Sequence, residues 1–478
     1  MLADLAGEVR SKRLTARALV NACITRISEN NGKLNTVVAT RFDLARQEAD
    51  AIDSLDTPAR KQLPLCGLPV LVKDIDDVAG MQTTHGSLLY ADAEPALHTA
   101  RIPALLQQAG AIIVGKTNTS EFAFEGYSSN RLFGSTVNPW GHEWSPGGSS
   151  GGSSAAISAG LAAIATGTDC GGSVRIPASM CGLFGFKPTN GLIGRDPVPA
   201  WLDLHTDGVM TQSVDDARLL MQIMAGPVHG DNSGFRSLNP IEHRYPRPLE
   251  TGWRRILATP RLTGTGPLPA AVAEQYERQS DRIATLLNIP VEHLNTTELD
   301  RLAPTWEDDW YTIIAVEQAQ FLGENVIADH AHRFDSLFGQ MMEFGLAVST
   351  GQYIAARRRC FETRKVFDQL LEPGTVLLCP TMVTEGYGAR GQMADGTRGS
   401  PHGMAQTVPA NLTGHPAASI PAGQLANGLP FGIHAMVARG HDDSLLQFAA
   451  AIEAAAPWPH SAPGYTPFTA SPSSAADR

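Results

Sequence analysis

Apolar residues recur at helical spacing between charged ones over residues 14–28 and 40–55, which predicts two N-terminal helices, with Thr15 and Asp43 suited to starting such turns. The period then changes. Residues 69–72 form a short continuous apolar run, the signature of a strand buried on both faces, and deliver Lys73 at its end. Residues 111–116 read the same way after a helical stretch at 98–109, so strands and helices alternate. The small, Ala-rich residues 153–161 suit a helix, and 162–165 a strand leading into a glycine-rich loop. Residues 225–270 are rich in Pro, Gly and Asn and break all periodicity. Beyond them, 271–287 and 312–328 predict helices, 376–380, 417–421 and 432–437 predict strands, and 443–456 a last helix. Residues 458–478, rich in Ser, Pro and Ala, predict a flexible C-terminal tail.

Composition narrows the class. A chain of 478 residues with 43% hydrophobic content supports a large buried core, in several domains or one large α/β unit. A net charge of -11 with no basic run repels phosphate backbones, so nucleic acid is excluded as a partner. Asp4, Glu8, Arg10, Lys12 and Arg13 interrupt any secretory apolar segment, and no later stretch reaches membrane-spanning length. Six cysteines (Cys23, Cys66, Cys170, Cys181, Cys360 and Cys379) lie without a CxxC pair, as reduced thiols in a cytoplasmic protein would. His330 and His332 do not share a helix face and have no Glu-x-x-His companion, so no metal is expected.

The candidate chemistry lies in two Gly/Ser loops, residues 146–153 and 168–175, which hold Ser149 and Ser173 24 residues apart, together with Lys73. Two hydroxyls and an amine make a nucleophile without histidine if the amine is neutral and close, and glycines let backbone N–H groups approach a reacting carbonyl. Burial at the end of a strand favours the neutral amine. Asp74, Asp76 and Asp77 would hold Lys73 charged if close, so they are expected to point elsewhere or bind other groups. A flexible linker is the bland reading of the Gly/Ser run, but a linker needs neither the helix that follows nor a second Gly-Gly-Ser loop. The run also satisfies G-x-S-x-G, so an α/β-hydrolase-type esterase with Ser149 as nucleophile is a competing reading. That elbow requires a strand directly before the serine, and Ser145-Pro146 cannot end a central strand.

The segments Gly67 to Asp74, Gly147 to Ser153, Gly167 to Arg175 and Cys181 to Thr189 resemble the amidase signature hydrolases in order and spacing, as do Phe133 to Trp140 and Asn411 to Pro416. The resemblance is strong over about 60–220 and weak over 225–370. It implies an α/β fold, one domain over 1–457 with a twisted mixed central sheet covered by helices on both sides, in which 225–370 shapes the substrate site. It implies Ser173 as nucleophile, Ser149 as a bridging serine in cis linkage to Gly148, and Lys73 as base. Cys170, Gly171, Gly172 and Ser173 match the oxyanion-hole segment, while Asp169 and Arg175 flank it and read as an ion pair holding the loop. Ile75, Cys170 and His434 depart from the family pattern; Cys170 reads as a small apolar filler and His434 as a satisfied strand-end histidine.

The implied activity is amidohydrolysis of a carbonyl C–N bond through a Ser173 acyl-enzyme, with no cofactor. The expected partner is a small-molecule amide or carbamate (a urethanase or esterase activity shares the tetrahedral chemistry), and a homodimer is allowed. Trp306, Trp310, Tyr311, Met341, Met342 and Phe344 suit an apolar pocket wall or plain core. Within the family, the glutamyl-tRNA amidotransferase A-type subunit, which acts in a complex, is the alternative.

Overall fold

Continuous apolar runs become the inner strands. The computed structural model describes residues 1–231, 252–262, 267–393, 396–398 and 401–469. In it Pro69–Lys73 and Ile112–Thr117 are buried parallel neighbours, with Val70 opposite Ile113 and Lys73 opposite Thr117. Val37–Thr40 flanks them antiparallel and Ile164–Ala165 parallel, closing a four-stranded sheet. A larger eight-stranded mixed sheet runs in the order Val291–His293, Arg255–Ala258, Thr375–Pro380, Pro430–Val437, Ala417–Gln424, Phe184–Lys187, Thr206–Thr211 and Gly167–Asp169.

One residue joins the two sheets. The Thr166 N–H donates to Leu71 O of the smaller sheet at 3.0 Å, and from Gly167 onward the chain pairs with Thr206–Thr211 of the larger one. The end of the Lys73 strand therefore meets the Gly167–Asp169 strand at a seam, and the site is built there.

The expected helices form, with shifted ends. Ala16–Leu34 starts on Thr15, whose hydroxyl accepts from the Ala18 N–H at 3.0 Å. Phe42–Ser54 carries Asp43 in its first turn rather than at its cap. The Ala-rich helix is Gly151–Ser158 and starts two residues before the expected 153. A Cβ on Gly152 would come 2.5 Å from Asn118 O, so glycine there serves close packing inside the helix. The stretch expected as one helix at 312–328 is two, Trp306–Leu322 and Glu324–His330, broken at Gly323 with φ +88.

Two expectations are corrected and part of each lies outside the described residues. The aperiodic stretch 225–270 includes a strand, Arg255–Ala258, which pairs in parallel with Thr375–Pro380; 232–251 and 263–266 lie outside. Over 458–469 the expected tail is docked, while 470–478 lie outside. Trp458 and Phe468 are buried in the core, the indole N–H of Trp458 donates to Gln212 O at 2.9 Å, and the Arg26 guanidinium donates to Thr466 O at 3.0 Å. Two aromatic anchors outweigh a small polar composition. Among the described residues no helix is long and apolar enough to cross a membrane.

Candidate active site

Lys73 leaves its strand into the seam fully buried, with Nζ 2.7 Å from Ser149 Oγ and 3.0 Å from Thr168 Oγ1. Its own N–H donates to Thr166 Oγ1 at 2.8 Å, which fixes the strand end against the second loop. Ser149 lies in a loop bound by no strand, just before the helix Gly151–Ser158, and follows Gly148 through a cis peptide bond. That placement removes the strand a nucleophile elbow requires, and the group at the Ser149 hydroxyl is an amine. Burial pulls the Lys73 pKa down to about 7, against the opposing pull of Asp76, Asp169 and Asp207. A substantial share of the amine is thus neutral near physiological pH.

Ser173 is the one member of the trio with some exposure, 7%, and among the described residues its hydroxyl has no hydrogen-bond partner. Its carbonyl accepts from the Ser150 N–H at 3.3 Å, which ties the two loops together.

The second loop is held by a buried network. Arg175 Nη2 and Nε donate to Asp169 Oδ1 and Oδ2 at 2.7 and 3.0 Å, and both side chains are fully buried. The guanidinium also reaches Thr407 O at 2.7 Å, Asn411 Oδ1 at 2.7 Å and His434 Nε2 at 2.9 Å. Because the guanidinium only donates, His434 Nε2 must accept, which leaves His434 neutral with its proton on Nδ1, 3.6 Å from Cys379 Sγ. Burial and the neighbouring Arg175 cation push its pKa far below the usual value in the same sense. Burial alone would raise the Asp169 carboxyl; the Arg175 cation outweighs it and holds Asp169 far below the ordinary carboxylate range.

That network alters the expected oxyanion segment. The Gly172 N–H donates to Asp169 Oδ1 at 2.8 Å, so it is engaged by the loop's own anchor. Cys170, Gly171 and Ser173 keep backbone N–H groups that no carbonyl of the described residues takes. A Cβ on Gly171 would lie 2.6 Å from the Trp310 ring, and the Trp310 indole N–H donates to Cys170 O at 3.0 Å. The weakly matching middle of the chain therefore lays an aromatic wall directly on the glycine loop. Trp306, Met341 and Met342 are buried in the same cluster, whereas Phe344 is exposed. Burial pushes the Cys170 thiol up, as suits an inert filler.

Of the three acids after Lys73, two behave as expected. Asp74 pairs with Lys116 at 3.1 Å, and Asp77 accepts from Thr83 Oγ1 at 2.5 Å. Asp76 does not point away: it stays in the field of Lys73 with only Thr166 Oγ1 near, at 3.4 Å. Beside it opens a cavity of about 290 Å³ lined by Ile75, Asp76, Phe122, Trp201, His205 and Asp207 among others. Thr168 and Asn411 fall in segments the sequence singled out but gave no role there, whereas Asp207 and Thr407 had no motif and reach the site through strand pairing and a long-range contact.

A family model described as Amidase matches residues 18–446. The chain is similar to the putative amidase AmiB2 of Mycobacterium tuberculosis, 33% identical over 460 residues, with 94% of this chain and 95% of that protein covered. It is 30% identical over 478 residues to the glutamyl-tRNA(Gln) amidotransferase A-type subunit of Thermobifida fusca, covering 95% of each. Among solved structures, a bacterial aryl acylamidase of the amidase signature family is similar with a TM-score of 0.84 at 26% identity, over 96% of each chain.

Proposed function

The chain belongs to the amidase family, a hydrolase acting on C–N bonds, and from that premise we propose that it cleaves an apolar or aryl-bearing amide or carbamate through an acyl-enzyme on Ser173. The observation that carries this reading is the buried Lys73 amine, 2.7 Å from Ser149 Oγ and held near neutrality. Neutral Lys73 takes a proton from Ser149 as Ser149 takes one from Ser173, and the Ser173 oxygen attacks the carbonyl carbon. The N–H groups of Cys170, Gly171 and Ser173 receive the developing oxyanion, while Gly172 holds the loop through Asp169. The relay then runs backwards and Lys73 protonates the leaving nitrogen through Ser149. Water, activated by the same amine, deacylates Ser173. The Trp310 wall over the glycine loop supports an apolar substrate in preference to a small charged amide.

Gel filtration of the purified chain, with each fraction assayed on a neutral nitroanilide and on matched carbamates and esters, tests this. Turnover by the chain alone, as monomer or homodimer, is expected. Activity that appears only with an added partner would instead favour an amidotransferase component.

A further inference from the structure

Lys73 is surrounded by ionisable groups from several elements, and most are already spoken for. From the Gly167–Asp169 strand and its loop come Asp169, bound bidentately by Arg175, and Cys170, a buried thiol. His205, just before the Thr206–Thr211 strand, has its pKa pushed down to about 3 by burial and by Lys73, so it is uncharged. Two carboxyls remain. Asp76, three residues beyond Lys73, has only the long Thr166 contact. Asp207 is 9% exposed, lines the cavity, and among the described residues has no side-chain partner.

Strand register places Asp207. It lies directly opposite Thr168 in the antiparallel pair, and directly opposed residues put their side chains on one face about 4.5–5.5 Å apart at Cβ. Thr168 Oγ1 is itself 3.0 Å from Lys73 Nζ. The Asp207 carboxyl therefore stands behind Thr168 on the lysine's side of the sheet, open to the cavity. Arg101 lines the same cavity and acts on Asp207 by charge, but its guanidinium donates to Met224 O and Gly226 O, each at 3.2 Å.

We propose that Asp76 and Asp207 are positioning carboxyls that together set the protonation of the base Lys73 from the cavity side. The inference rests on the reading of Lys73 as base. An ionised carboxylate there favours the lysine cation, so it keeps Lys73 from being a permanently neutral, weaker base. Burial raises the carboxyls themselves, the half-buried Asp76 to about 6 and the buried Asp207 to about 7, the range in which Lys73 also titrates.

The test is kcat/KM for a neutral nitroanilide from about pH 5 to about pH 9 in the native enzyme, Asp207→Asn, Asp207→Glu and Asp76→Asn. Removing the carboxyl withdraws support from the Lys73 cation, and because that carboxyl is itself only part-ionised over the same range, the acidic limb of Asp207→Asn should move down by up to about one pH unit. That variant would then outpace the native enzyme several-fold on the acidic side. Asp207→Glu should return the limb to its native place, and Asp76→Asn should shift it the same way. A folded Asp207→Asn enzyme with an unmoved or raised limb overturns the proposal. If that variant does not fold, an unmoved limb in Asp76→Asn overturns it equally. The base reading is separable: an active Lys73→Ala enzyme refutes that reading, whereas an inactive one with an unmoved Asp207→Asn limb refutes only this inference.

Discussion

Ser173 and Ser149 differ in one respect that bears on their proposed roles, because Ser149 is fully buried against an amine while Ser173 is 7% exposed and, among the described residues, its hydroxyl has no hydrogen-bond partner. Ser173→Ala should therefore abolish turnover, and an acylating inhibitor should be found by mass spectrometry on Ser173; an adduct on Ser149 would reverse the assignment. Lys73→Ala should lose on the order of two to four decades in kcat/KM, the worth of a positioned base. On the proposed mechanism the active form carries neutral Lys73, so kcat/KM should rise with pH through about 7, the value to which burial lowers the amine. A profile flat from about pH 5 upward would refute the lysine as the titrating base. His434 is already neutral and engaged by Arg175, so replacing it with alanine should lower the unfolding midpoint and leave that limb in place.

The loop of residues 168–175 is an element whose shape depends on one ion pair. Arg175→Met would leave Asp169 buried without the cation that binds it, and breaking such a pair from one side costs about 3–5 kcal/mol, a loss that urea unfolding at neutral pH would read. The Asp169 carboxyl is depressed in the folded state, so its contribution is present above the ordinary carboxylate value, about 3.9, and is lost only as pH falls below it. The native protein should keep that increment at about pH 4; the variant never has it. This element was legible because glycine and serine were needed: Gly172 has φ +130 and its Cβ would lie 2.3 Å from Thr407 Oγ1, so no other residue fits. Strands 69–73 and 112–117 were legible as apolar runs. Phe184–Lys187 and Thr206–Thr211 were not, because they bury Lys187 and Asp207, and buried polar residues erase the signature of an inner strand. The carboxyl beside the base was hidden for the same reason, since Asp207 meets Thr168 only through pairing between segments far apart in the chain.

At the scale of the whole molecule, the C-terminal segment ties distant parts together. Trp458 joins Gln212, the Ala462 N–H donates to Ser158 O at 2.9 Å, and Arg26 of an N-terminal helix grips the chain at Thr466 while its guanidinium lies 5.5 Å from the Phe468 ring centre. Ser158 ends the helix that starts beside Ser149, so the strap supports that helix from its far end. Composition alone hid this, because two aromatic residues among small polar ones carry the contact. Phe468 is 1% exposed, and Phe→Ala truncation in a core costs about 3–5 kcal/mol, so Phe468→Ala should lower the urea midpoint strongly. Among the described residues none of the strap's contacts touches Lys73, Ser149 or Ser173, so kcat/KM of the folded variant at room temperature should stay native. An unchanged midpoint would show the strap to be dispensable, and a lost kcat/KM with an unchanged midpoint would show that it acts on the site rather than on the fold.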